Sequence, residues 1–262
     1  MLERFRLAQQ PGIDRLRALA DQDALPAPWP GARPSFAAAL AARRGRAVIA
    51  EYKRASPSKG VINLALGPEE VALAYARAGA TALSVLTEAQ HFQGELGFLE
   101  RMRPAGLPML RKDFILDPLQ IVETAATPAS ALLLIVRMIA QDELVRLIEL
   151  AGQAGLDAVV EVFDRADLDR AKAAGARIIQ VNNRDLDTLS TDLNRSEELI
   201  GSKASEELWI SASGIAVPQD LTRVLSAGFD AVLVGTSLMR QANPGQALAG
   251  LLDGLPAASG AA

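Results

Sequence analysis

The chain has 262 residues, half of them hydrophobic but only 4% aromatic, with no cysteine and a formal net charge of -4. Disulfides, thiolate metal sites and Cys nucleophiles are thereby excluded, and the interspersed charges leave no basic footprint for nucleic acid or an anionic membrane surface. No Pro/Gly/Ser-rich or charged linker divides the sequence, so residues 1–262 read as one large α/β domain rather than two small ones.

The amino terminus, MLERFRLAQQ, lacks the apolar stretch of a secretory signal. The longest apolar run, Ala131 to Val136 (ALLLIV), is too short to span a bilayer and reads as a buried strand. A cytoplasmic protein without a membrane role is the expectation, and a monomer the simplest state. Residues 1–45 read as a helical extension: Ile13 to Ala20 and Phe36 to Ala42 form extra helices, separated by the Pro-rich LPAPWPGARP, that cap or flank the rest of the domain.

Strand-like runs then begin near Ala47, Ala82, Pro108, Ala131, Ala158, Ile178, Leu208 and Ala231, about one every 26 residues. That spacing suits one strand and one crossover helix. Ala-Gly precedes four of the runs (Ala78-Gly79, Ala154-Gly155, Ala174-Gly175, Ala227-Gly228) as the end of a helix feeding a strand. Helices are signalled between them by Pro68-Glu69-Glu70, by Asp117-Pro118, and by Leu144, Leu147, Ile148 and Ala151 on one face. Eight alternations predict a single (β/α)₈ barrel. A doubly wound open sheet often shows a Gly-rich turn after its first strand, and GxGxxG is absent. Residues 255–262, LPAASGAA, read as a frayed tail.

Active sites of such barrels lie where strands end and βα loops begin. Glu51 and Lys53 fall there after strand 1, Lys112 after strand 3, Glu161 on strand 5, Asn182 and Arg184 after strand 6, Ser211 and Ser213 after strand 7, and Gly235-Thr236 after strand 8. Alternation points Glu51 with Lys53, and Asn182 with Arg184, toward one side. For any one of these charges a solvated rim or structural ion pair is an equal reading; for five strands together chance is a poorer account. Ser213-Gly214-Ile215 and Gly235-Thr236-Ser237 offer backbone N–H groups for phosphate, and the loop from Arg54 to Gly60 adds hydroxyls and charge. No carboxylate cluster has ligand-like spacing, so no metal is expected. His91, the only histidine, is read as structural, in a loop without a nucleophile elbow. The chemistry these residues suit is Lys/Glu acid–base work.

From Ile49 to Arg240 the motifs IAEYKRASPSKG, SVLTEAQHFQG, LRKDFILDPLQI, ALLLIV, VVEV, VNNRDLDTL, SASGI and VGTSLMR together resemble the indole-3-glycerol phosphate synthase family. The resemblance implies a carboxy-lyase of tryptophan biosynthesis, which closes the ring of 1-(2-carboxyphenylamino)-1-deoxyribulose 5-phosphate with loss of CO₂ and water. It implies no cofactor and no metal, only a small phosphorylated substrate. It casts Lys112 as the ammonium supporting the ketone oxygen, and Lys53, steered by Glu51, as the acid of dehydration. Glu161 becomes a base or cation stabiliser, Asn182 orients substrate, and Ser213 joins the catalytic group. Phosphate contacts fall on Ser56, Arg184, Gly214, Gly235 and Thr236. The aromatic ring falls on Phe92, Phe114, Leu133 and Ile135, for which ordinary core packing is the competing reading.

Three positions depart from the family pattern. Ala212 stands where Glu is usual, Glu95 follows FQG in place of Ser and places charge that would repel a carboxylated substrate, and the EVF segment lacks a histidine common after the base. Two alternatives therefore remain: a phosphoribosylanthranilate isomerase-like barrel, which should lack the lysines of KxxSPSKG and RKDF, and a paralogue that binds the phosphorylated ligand without turnover.

Overall fold

The computed structural model describes residues 2–185 and 188–255; the expectation of a frayed tail concerns residues that, after 255, lie outside that range. Eight parallel strands close into a barrel: β1 (Ala47–Tyr52), β2 (Ala82–Leu86), β3 (Met109–Lys112), β4 (Ala131–Ile135), β5 (Asp157–Val162), β6 (Ile178–Asn182), β7 (Leu208–Ala212) and β8 (Ala231–Val234), which pairs back onto β1. Six begin at the expected residue. β3 starts one later because Pro108 has no N–H to give and joins only through its carbonyl, which accepts from Leu83 N at 2.9 Å. β5 starts one earlier, at Asp157.

The strands are buried almost throughout, as parallel strands covered by helices must be. All four Ala-Gly glycines adopt positive φ, from 69° to 114°, and so end the helices that feed β2, β5, β6 and β8.

The amino-terminal extension differs from expectation. Its first helix is not Ile13 to Ala20 but Leu2–Asp21, running through Pro11. An internal proline costs a helix about 3 kcal/mol, and tertiary contacts hold this one on both sides. Ahead of Pro11, Arg6 donates to Met138 O at 2.7 Å and Gln9 to Asp113 Oδ1 at 3.1 Å. Beyond it, Ile13 and Leu16 are buried and Arg17 pairs with Asp117 at 2.9 Å. The second helix, Phe36–Ala41, is capped by Ser35 and buries Phe36 and Leu40, while Ala37 N donates to Asp157 at the amino end of β5. The extension thus reaches both ends of the barrel. After β1 the chain forms a hairpin, Ala55–Ser56 against Gly60–Val61.

Candidate active site

A cavity of about 180 Å³ opens at the carboxyl ends of the strands, against the ~10–15 Å³ that one water requires. Of the site residues inferred from sequence it brings together all but Ser211: Glu51, Lys53, Ser56, Phe92, Lys112, Phe114, Leu133, Ile135, Glu161, Asn182, Arg184, Ser213, Gly214, Gly235 and Thr236.

Glu51 is 3% exposed. Lys53 Nζ donates to its Oε1 at 2.5 Å, and Ser84 Oγ, its register partner on β2, to Oε2 at 3.2 Å. Burial alone would raise this carboxyl, but attraction to Lys53 and Lys112, with the hydrogen bonds from Lys53 and Ser84, outweighs it and holds Glu51 below the usual carboxylate range. Glu51 is therefore a carboxylate at neutral pH. Gly235 makes room for it: a Cβ there would overlap Glu51 Oε1 and lie 2.9 Å from its Cβ. The glycine singled out as a phosphate contact thus has a second reason to be glycine.

Across the mouth, Lys112 Nζ at the end of β3 lies 3.4 Å from Glu161 Oε2 on β5. The same oxygen accepts from Gln180 Nε2 on β6 at 2.5 Å. Glu161 is as buried as Glu51, and Gln180 is fully buried.

The loops after β6, β7 and β8 form the third wall. Arg184 N donates to Asn182 Oδ1 at 3.0 Å, and its guanidinium to Leu189 O at 2.6 Å. Burial lowers the Arg184 pKa and the Glu51 charge opposes that shift; a guanidinium stays charged regardless. Ser213 and Gly214 have consecutive positive φ values, 69° and 85°. For serine this is a sparsely populated, strained conformation, and Asn183 holds it, donating to both Ala212 O and Ser213 O at 3.1 Å. The turn carries Ser213 into the cavity. Ser211, grouped with it from sequence, instead faces the helix Asn194–Ile200, where it meets Ser196 at 2.8 Å and accepts from Asn183 at 2.9 Å. Thr236 and Ser237 open a short helix in which Leu238 N and Met239 N donate to Gly235 O at 3.0 and 2.9 Å, leaving the Thr236 and Ser237 N–H groups without an intrahelical acceptor.

The apolar wall of Phe92, Phe114, Leu133 and Ile135 is completed by Leu2 and Phe5 of the first helix. Phe5 stacks on Phe114 with ring centroids 4.3 Å apart. The segment around His91 is a capped turn rather than an open loop: Ala89–Phe92 is helical, with Glu88 accepting from the backbone N of Gln90, His91 and Phe92. His91 does not line the cavity. Its Nδ1 meets Glu88 at 3.1 Å, its Nε2 accepts from Arg4 at 3.0 Å, and its ring packs edge-on to Phe5. Glu95 is exposed and also outside the cavity, so the repulsion expected of it has no place there. Ala212 does line it, 2% exposed.

Sequence reasoning missed Ser84, Gln180, Asn183 and the Leu2–Phe5 turn. The first two carried a signal: each is a single polar residue inside an apolar run, ALSVL and IIQV, buried on both faces. Asn183 had a weaker one, as the neighbour of Asn182.

Among the described residues no group of three or more His, Cys, Asp or Glu is placed to hold a metal ion. What the mouth offers is proton transfer and charge stabilisation by lysines and carboxylates, which sets the molecule among barrel enzymes working through side-chain acids and bases. The family model described as indole-3-glycerol phosphate synthase matches residues 8–251. Proteins of that name from Roseiflexus castenholzii and Carboxydothermus hydrogenoformans are 43% and 44% identical, over 91% and 78% of this chain and 93% and 78% of theirs. The chain belongs to the indole-3-glycerol phosphate synthase family. The isomerase alternative is set aside by this match. Solved structures resemble it in fold alone: a mandelate oxidase mutant (TM-score 0.62, 18% identity, 79% of this chain and 72% of that one) and a 3-hexulose-6-phosphate synthase (0.59, 14%, 80% and 100%).

Proposed function

We propose that this cavity closes the indole ring of 1-(2-carboxyphenylamino)-1-deoxyribulose 5-phosphate through its two lysine–carboxylate pairs. As a member of its family the protein is an enzyme, a carboxy-lyase of tryptophan biosynthesis acting on a small phosphorylated substrate. The observation that carries the division of labour is that two lysines from different strands each meet a different buried carboxylate in one cavity.

In this reading the phosphate sits on the backbone of Gly214, Gly235 and Thr236 with Ser56 and Arg184, and the aromatic ring lies on Phe92, Phe114, Leu133 and Ile135. The ring carbon bearing the carboxylate attacks the ketone carbon, and Lys112 supports the oxygen as it gains charge and gives it the proton that makes it a hydroxyl. The bond to CO₂ then breaks, returning its electron pair to the ring. Lys53, held by Glu51, protonates the hydroxyl, which leaves as water. Glu161 stabilises the cation and takes the last proton, giving indole-3-glycerol phosphate, while Asn182 and Ser213 orient the substrate. The reading takes the enzyme as a monomer in the cytoplasm with no metal or cofactor.

The test is fluorescence of the indole product from purified protein, wild type beside Lys112→Ala. Wild type should turn over, and the variant should remain folded, still bind substrate and lose at least about 10²-fold in kcat. A silent wild type would make the protein a phospho-ligand binder, and a fully active variant would remove Lys112 from the chemistry.

A further inference from the structure

Gln180 stands in the middle of β6, fully buried, with one hydrogen bond and one unmet group. Its Nε2 donates to Glu161 Oε2 at 2.5 Å, while its Oε1 has no hydrogen-bond partner among the described residues. An ionised carboxylate only accepts, so the amide must present its NH₂ to Glu161 and leave its oxygen unmet. A buried unmet carbonyl is unfavourable, and an apolar side chain of the same length would avoid it. Packing therefore does not explain a glutamine here; the single bond to Glu161 does.

That bond falls on the oxygen that Lys112 also reaches, at 3.4 Å. Glu161 cannot swing its Oε2 from Lys112 without breaking the contact to Gln180. On the β7 side no further carboxylate assists, because Ala212 presents only a methyl group to the cavity.

We propose that Gln180 is the positioning residue of the second pair, holding Glu161 Oε2 turned to Lys112. The proposal rests on the acid–base part assigned to Glu161 above. Without this donor Oε2 is free to turn from Lys112, so turnover falls, and substrate binding, which Gln180 does not touch, is spared.

The experiment uses Gln180→Met, alone and combined with Glu161→Gln, with thermal melts to establish folding; Gln180→Leu replaces the methionine variant if that does not accumulate folded. In the wild-type background Gln180→Met should lower kcat about tenfold, the size of one hydrogen bond to a charged group. KM should stay within about twofold. In the Glu161→Gln background the same substitution should cost nothing further, since no carboxylate remains to hold. A KM that rises along with the loss of kcat, or an equal loss in both backgrounds, would overturn the proposal and leave Gln180 a packing residue. Near-wild-type turnover of Glu161→Gln alone would overturn the part given to Glu161 itself, a separate and recognisable failure.

Discussion

Glu51 and Lys53 stand two residues apart on one stretch of chain and meet at 2.5 Å, whereas Lys112 and Glu161 come from β3 and β5, with β4 between them, and meet at 3.4 Å. The first pair is a product of strand alternation: once β1 forms, both side chains leave it on the same side. The second exists only when β3, β4 and β5 have paired, and each member's position depends on neighbours. The first carboxylate is braced from β2 by Ser84 and the second from β6 by Gln180. One pair is written locally and the other topologically, so disturbances of the backbone should reach them unequally.

The largest expected effect comes from Gly235→Ala. The added methyl enters the space of the Glu51 carboxylate and displaces the Glu51–Lys53 pair while Lys112 and Glu161 keep their places. A displacement near 1 Å costs on the order of 10²-fold in turnover, so kcat should fall by that order, and because the added Cβ also crowds the buried Glu51 Cβ the melting temperature should fall with it. Activity within threefold of wild type would mean that Glu51 has more room than its contacts indicate.

A smaller effect, of opposite sign, is expected from Ala212→Glu. The family resemblance implies a glutamate at this position, and one charge-assisted hydrogen bond corresponds to about 1.5–3 kcal/mol. A several-fold rise in kcat/KM, measured in phosphate-free buffer, would show the two existing carboxylates to be an incomplete set. A neutral or harmful outcome would show that Glu51 and Glu161 suffice in a pocket packed around the smaller residue.

The smallest concerns Ser84→Ala, which removes one hydrogen bond, about 1 kcal/mol, from Glu51 alone. Glu51 titrates lower in the folded protein than in the unfolded chain, so it contributes stability above the ordinary carboxylate range and loses it as pH falls through the depressed value. Without Ser84 that depression shrinks. Melting temperatures followed from pH 7 downward should therefore converge at the acid end, with the variant less stable near neutrality and losing less as the pH drops. Parallel curves would mean that Ser84 does not act through the Glu51 charge.

The same contrast explains what could be read from sequence. Strand starts were legible because β-branched runs and Ala-Gly helix ends repeat, and Glu51 with Lys53 was legible from spacing. Lys112 and Glu161 were visible one at a time, as charges at strand ends, but nothing in their spacing states that they meet. Ser211 was misplaced because the left-handed backbone at Ser213 breaks the alternation just past β7. Gln180 was hidden in an apolar run whose interior face cannot be told from its exterior face when both are buried. The helix through Pro11 defeated local propensity, since contacts up to 132 residues away in sequence hold it.

That helix has a practical reach. Leu2 and Phe5 form part of the cavity wall, and Arg4 is tied to His91 beside it. A purification tag or fusion partner joined ahead of Leu2 would leave the protein at the rim of its own active site, where bulk and charge meet the incoming substrate. Rate constants of tagged and cleaved protein would then describe two different entrances, and inhibitor screens on immobilised enzyme would depend on which end was attached to the surface.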